Sequence, residues 1–256
     1  VCRSPGSRCD VKPEFFLCQV ESASRPHRDL VEIGRELAEA RARISAAAAL
    51  VDAVPVAVPG PVLAGSGDGG SLLTPGPRFA RIDQEYGAVA RASLMCALHV
   101  HVEVEDDAEG VAVIDRVRPW VPLLVALSAN SPYWEGVDTG YESWRARVWS
   151  TWPSSGPAEL FHDAAGYRRA TARLVESGGA SDVALVNFDV RLSARHPTVE
   201  YRVADVCTDL GDALATAALA RALTEHAPGS TGAASHRRPG GWRHCARRPG
   251  EQPGSA

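Results

Sequence analysis

Residues 96–105 read CALHVHVEVE. Every second side chain, Leu98, Val100, Val102 and Val104, is apolar, and those between, His99, His101, Glu103 and Glu105, are polar. A strand turns successive side chains to opposite faces, so this stretch predicts a half-buried β-strand with a core face and a polar face. Residues 198–203 repeat the pattern, with Val199, Tyr201 and Val203 on one side and Glu200 and Arg202 on the other. Working outward, short apolar runs at 15–21, 54–58 and 183–190 read as further strands. Helical spacing appears at 29–51, 78–93, 108–117, 121–127, 138–149, 163–177 and 209–225. Strands and helices alternate without a regular βαβ period, which predicts α+β architecture and not a doubly wound parallel sheet. No internal repeat is present.

The chain has 256 residues, 45% hydrophobic and 23% charged, enough to bury a sizeable core. No apolar run approaches the ~18 residues that suggest a membrane span. A net charge of −4 gives no general attraction to nucleic acid or an anionic membrane, so neither is expected as a partner. The ends differ from the middle. Residues 227–256 carry four prolines, six glycines and five arginines against one acid, and read as a disordered tail. That tail holds +4, which leaves −8 on residues 1–226. Residues 1–10 are featureless, and 59–77 form a long Gly/Pro/Ser loop of the kind found where a segment is mobile or functional. Six cysteines without CxxC spacing, and no leader at the start of the sequence as given, point to a reducing cytoplasm.

Several residues could carry chemistry. His99 and His101 share one strand face, about 7 Å apart at their Cα atoms, and could join one polar site or simply line a solvated sheet. As a zinc hydrolase site the pair lacks an evident third ligand. Glu200 and Arg202 also share a face: the ordinary reading is a surface ion pair, the functional one a carboxylate for a divalent cation beside a guanidinium for phosphate. Asp189 and Arg191 repeat the acid-x-Arg pattern. Glu14 and Glu21 are seven residues apart, an odd offset that sends them to opposite faces of a straight strand. A shared site would need a bulge or bend between them. Arg145, amid Tyr141 and Trp144, is either a packed cover or an anion clamp.

Four stretches, LHVHV (98–102), RPWVPLLVALSANSPYW (118–134), DTGYESWRARVWSTWPSSGP (138–157) and FDVRLSARHPTVEYRVADV (188–206), resemble the type 2 glutamate-cysteine ligase, or carboxylate-amine ligase, family, and KPEFFLCQVE (12–21) is similar to an earlier segment of it. The similarity covers residues 11–226, which makes that span the expected catalytic domain. The resemblance implies a glutamine synthetase-like curved, mainly antiparallel sheet with helices packed outside. It implies ATP-dependent joining of the glutamate γ-carboxyl to the amine of cysteine, or of another small amine, through an acyl phosphate with Mg2+ or Mn2+. Carried over by position, Glu14, Glu21, His99 and Glu200 become the expected metal ligands. Arg202 and Arg145 become the expected catalytic residues, and Arg145, Arg191 and Arg202 the ATP- or substrate-binding ones. Departures from the family pattern stand beside this. No Gly-x-Glu-x-Glu strand precedes Lys12, the region after the 209–225 helix turns into the Arg/Pro/Gly tail, and Glu103 stands where a small residue is usual. Truncation at both ends is therefore expected, and a non-catalytic remnant that binds nucleotide or a partner is the alternative reading.

Overall fold

The computed structural model describes residues 10–63, 73–226 and the backbone of 242–243. The sequence expectations for 1–9, for most of the tail and for the middle of the 59–77 loop lie outside those residues. The elements in chain order are β1 (Asp10–Pro13), β2 (Val20–Ala23), α1 (Leu30–Ala49), α2 (Pro77–Tyr86), α3 (Ala88–Arg91), β3 (Ala97–Glu103), α4 (Asp107–Val117), α5 (Val121–Ser128), β4 (Tyr133–Trp134), β5 (Val137–Asp138), α6 (Trp144–Trp149), α7 (Ala164–Glu176), β6 (Val190–Leu192), β7 (Thr198–Asp205), α8 (Leu210–His226) and β8 (Trp242–Arg243). Helix and antiparallel sheet are mixed, as an α+β chain requires.

The central sheet runs β6-β7-β3-β8, with every pair antiparallel. Its alternation does what the sequence predicted. Val100, Val102, Val199, Tyr201 and Val203 are buried and join Val111, Ile114, Val117, Val121 and Leu124 of α4 and α5 and Ala217 and Ala220 of α8 in one core. Helices therefore cover one face. A smaller cluster brings Phe15, Ile82, Tyr86, Trp149 and Trp152 together, and its Trp149 ring lies against Arg202 on the polar face of the sheet. The helices are capped locally: Asp29, Asp106 and Asp163 each accept a hydrogen bond from a backbone N–H in the first turn of α1, α4 and α7.

Five sequence expectations change. The apolar run 15–21 is not one strand, because Gln19 turns the chain: its N–H donates to Phe16 O at 2.9 Å and its Oε1 accepts from Phe16 N, so β1 and β2 form a hairpin. Residues 54–58 form no strand, since Pro55 and Pro59 interrupt the donor row and no partner strand lies alongside among the described residues. Residues 183–185 make a 3-10 turn capped by Asp182, and the strand starts only at Val190. The helix expected over 138–149 begins at Trp144, because Glu135 and Gly136, at φ 50° and 84°, close a tight hairpin between β4 and β5. The 78–93 helix breaks at Gly87, whose φ is 50°. In the tail, the backbone of Trp242–Arg243 pairs with Val102 and His101, which its composition does not foresee.

Candidate active site

The polar face of the sheet is organised around Glu200. His101 lies directly opposite it, and the β3–β7 register slips by one residue between Leu98 and Val100, next to His99. Arg191 sits opposite Glu200 on the other side and donates from Nε to Oε2 at 2.8 Å and from Nη2 to Oε1 at 3.3 Å. Arg202 Nη1 donates to Oε1 of the same carboxylate. His99 Nδ1 and His101 Nε2 stand 3.7 and 3.8 Å from Oε1. Burial alone would push the Glu200 carboxyl up, yet Arg202, then Arg191, hold it well below the usual carboxylate range. His99 is driven the other way: burial first, and then the Arg202 charge, hold its imidazole well below the usual range. It therefore stays neutral, with a free lone pair, at physiological pH. His99 keeps about a third of its side-chain surface exposed, whereas His101 is buried and bonds through Nδ1 to Thr198 Oγ1 at 2.9 Å. Of the two, His99 is the accessible one.

Each arginine is fixed by more than Glu200. Arg191 Nη1 donates to the carbonyls of Ala184 and Val186. Arg202 lies over the Trp149 ring, 5.3 Å from its centroid, a cation–π contact that orients the guanidinium. Of the two readings of Arg145, a packed cover or an anion clamp, its burial fits the first. It is 1% exposed, and its guanidinium donates to Arg202 O at 2.9 Å and Val203 O at 3.1 Å, next to the register slip. Burial pushes it down to about 10 against the opposing pull of Asp205. Here it braces β7 from within and does not face open space. Asp205, also 1% exposed, accepts from Asn130 N at 2.9 Å, Ser131 Oγ at 2.7 Å and Ser143 Oγ at 2.9 Å, and lies 3.8 Å from Arg145. One carboxylate thus pins the 130–131 turn and the start of α6, and with α6 the Trp149 ring beneath Arg202.

The hairpin supplies the bend that Glu14 and Glu21 needed. The two carboxyls lie close enough to perturb each other, Lys12 Nζ is 3.1 Å from Glu21 Oε1, and Glu14 Oε1 accepts from Phe15 N at 3.0 Å. Burial, reinforced by Glu21, pushes Glu14 up to about 7, whereas Glu14 and Lys12 outweigh burial to keep Glu21 low. Glu21 also feels the Arg202 charge, so the hairpin borders the arginine face.

The expected metal set is brought together only in part. Among the described residues no group of three or more His, Cys, Asp or Glu side chains converges on one point. Glu14 and Glu21 are a neighbouring pair of hard oxygen donors, the donor type that fits Mg2+ or Mn2+. Glu200 does not fit as a ligand in this arrangement, because two guanidinium groups already occupy its oxygens. Sequence reading missed Trp149 and the hub role of Asp205. Asp205 lay inside a quoted block, but nothing in its spacing announces the hydrogen bonds it collects from residues 62 to 75 positions away.

Paired carboxylates beside a sheet face dense in arginine define a class of site suited to phosphoryl and carboxylate chemistry. The match to known proteins is narrower. A model of glutamate-cysteine ligase family 2 covers residues 3–239, and the chain belongs to that family. It is 55% identical over 150 residues to a Streptomyces coelicolor protein named "Putative glutamate--cysteine ligase 2", covering 59% of this chain and 41% of that protein. Relatives from Paenarthrobacter aurescens (44% identical, 84% of this chain, 55% of the relative) and Nocardioides sp. (42%, 88%, 58%) carry the name "Putative glutamate--cysteine ligase 2-1". The chain thus spans about half the length of the curated relatives it matches. Among the described residues no helix is long and apolar enough to cross a membrane.

Proposed function

We propose that the chain carries the catalytic sheet of an ATP-dependent carboxylate-amine ligase that joins the γ-carboxyl of glutamate to the amine of cysteine. The observation that carries this reading is the Arg191–Glu200–Arg202 group on one sheet face with the Glu14–Glu21 carboxyl pair at its border. A carboxylate becomes an electrophile only when one oxygen is made a leaving group, and an acyl phosphate does this. The glutamine synthetase-like curvature of the sheet belongs to the same proposal, supported by its antiparallel order.

Glu14 and Glu21 would hold Mg2+ or Mn2+, and His99 offers a neutral nitrogen on the sheet face beside Glu200. When bound, the ion supplies charge neutralisation of the triphosphate. Arg202 and Arg191 then stabilise negative charge on the phosphoryl group being transferred. Both are pre-aligned by Glu200, and Arg202 also by Trp149, so neither must reorganise. Glu200 acts in this scheme by orienting the guanidinium groups, and Arg145 by holding the strand that carries Arg202.

The test is release of ADP and γ-glutamylcysteine from the purified chain with ATP, Mg2+, glutamate and cysteine. Arg202→Ala is expected to abolish the release. The reading is overturned if no glutamate-dependent ADP appears from this chain or from a chimera that joins it to the part of the Paenarthrobacter relative it does not cover. Binding of nucleotide without turnover would then favour the non-catalytic remnant.

A further inference from the structure

Helix α5, VPLLVALS, carries apolar residues on every side, and from Pro119 to Trp134 the sequence has no charged residue at all. Val121 and Leu124 turn into the core. Leu123, Leu127 and Trp120 just before the helix stand at offsets of three and four residues, which makes them one face, and each is about half exposed. Neighbouring helices put charge outward instead: Arg35 and Glu39 on α1, Asp107 on α4, Arg169 and Arg173 on α7. A helix that is apolar all round is built to be buried. A second unpartnered feature meets it at its C-terminal end. Asn130 Nδ2 donates to Thr208 Oγ1 at 3.1 Å, and Thr208 Oγ1 donates to Ala57 O at 3.0 Å, which ties residues 54–58 to the end of α5. That segment has the composition of a strand and no partner strand among the described residues, and its Val54 and Val56 are largely exposed.

A contiguous exposed apolar face of this kind marks an interaction surface. The cover does not come from the rest of this chain: residues 1–9, 64–72, 227–241 and 244–256 hold only Val1 and Leu72 as large apolar residues. The relatives, in contrast, have polypeptide to spare, since the chain matches only 55% and 58% of the length of the Paenarthrobacter and Nocardioides proteins. We propose that the α5 face and the 54–58 segment are the docking surface for the part of the family polypeptide that this chain does not cover, with Leu123 and Leu127 buried beneath an apolar element of it. The argument uses family membership and surface chemistry, and is independent of the ligase reaction. Docking there has a consequence for the site as well. Helix α5 packs on β7, so an element laid over it clamps the strand that carries Glu200 and Arg202 from the side opposite the arginine face.

Two measurements compare the full chain alone with the chimera that joins it to the part of the Paenarthrobacter relative it does not cover. In scanning calorimetry, Leu123→Glu/Leu127→Glu should move the melting midpoint of the chain alone by less than about 2 °C, because both side chains are already in water, and lower that of the chimera by at least about 5 °C. In thiol labelling with iodoacetamide, read at the peptide level by mass spectrometry, Leu127→Cys should react at least about tenfold more slowly in the chimera than in the chain alone. Equal labelling rates, equal shifts of the midpoint, or a chimera that melts as two independent units would overturn the proposal. So would a dimer of the chain alone, seen by analytical ultracentrifugation and dispersed by the double substitution, because the face would then belong to a second copy. Neither readout depends on turnover, so the result stands apart from the success or failure of the ligase reading.

Discussion

Replacing Asp205 with alanine should unfold a large part of the margin by which this chain is stable. The carboxylate is 1% exposed, accepts three hydrogen bonds of 2.7–2.9 Å and faces Arg145 at 3.8 Å, itself 1% exposed. Hydrogen bonds to a charged group contribute about 1.5–3 kcal/mol each, but they share one acceptor and do not add. Removing one partner of a buried ion pair costs about 3–5 kcal/mol, because the other charge is left without compensation. The expected loss is therefore about 4 kcal/mol, against a total of about 5–15 kcal/mol for a typical domain. At about 2 kcal/mol per molar urea, the midpoint should fall by about 2 M. Ser131→Ala, which removes a single donor, should cost about 1 kcal/mol. Asp205→Ala combined with Arg145→Met should recover at least 1 kcal/mol of the loss, since the stranded charge is gone. Equilibrium urea unfolding followed by tryptophan fluorescence measures all three. A loss below about 1 kcal/mol for Asp205→Ala, or no recovery in the double variant, would refute the view that Asp205 and Arg145 form one unit.

Asp189 sets a pH dependence. Burial lifts its carboxyl from the usual 3.8 to about 6, so the folded chain holds the proton more tightly than the unfolded one between those values. Stability from this group is therefore greatest below about 3.8 and is lost as the pH rises through about 6. Asp189→Asn should flatten that slope and raise stability at pH 7 by at most about 3 kcal/mol at 1.36 kcal/mol per unit, and denaturation at pH 5 and pH 7 compares the two. Mg2+ should raise the melting temperature of wild type and not of Glu14→Gln/Glu21→Gln, read by scanning calorimetry with and without the ion; an equal rise in both would remove the pair as its site. Gly166→Ala, ordinarily favourable by about 1 kcal/mol within a helix, should instead destabilise by about 1–3 kcal/mol, because the new Cβ would meet the Phe161 carbonyl oxygen; thermal melting checks the sign.

Much of the fold is legible in the residues themselves. The alternation at 96–105 and 198–203 places the same valines on the core face that the structure buries, because a strand has only two faces and a core accepts only one of them. Helices α1, α4, α5, α7 and α8 follow from spacing and, for α1, α4 and α7, from their aspartate caps, all local features. Where local signals fail, a longer contact has won. Residues 54–58 have the composition of a strand and no neighbour to pair with, and residues 138–143 have helical spacing but are drawn into the β4–β5 hairpin and the Ser131–Glu142 backbone contact.

The site divides along the same line. Sequence alone put His99 with His101 on one strand face and Glu200 with Arg202 on the face of another, since residues two apart on a strand must share a face, and the β3–β7 pairing brings the two together. It could not place Glu14 with Glu21, because their meeting depends on a turn made by the Gln19 side chain. Nor could it tell that Arg191 and Arg202 would hold Glu200, that Arg145 would lie buried against backbone carbonyls, or that Asp205 would tie three segments together. Those outcomes are set by which charges find each other once water is excluded, and burial makes an unpaired charge costly enough that the three-dimensional partners, and not the spacing, decide the role of each residue.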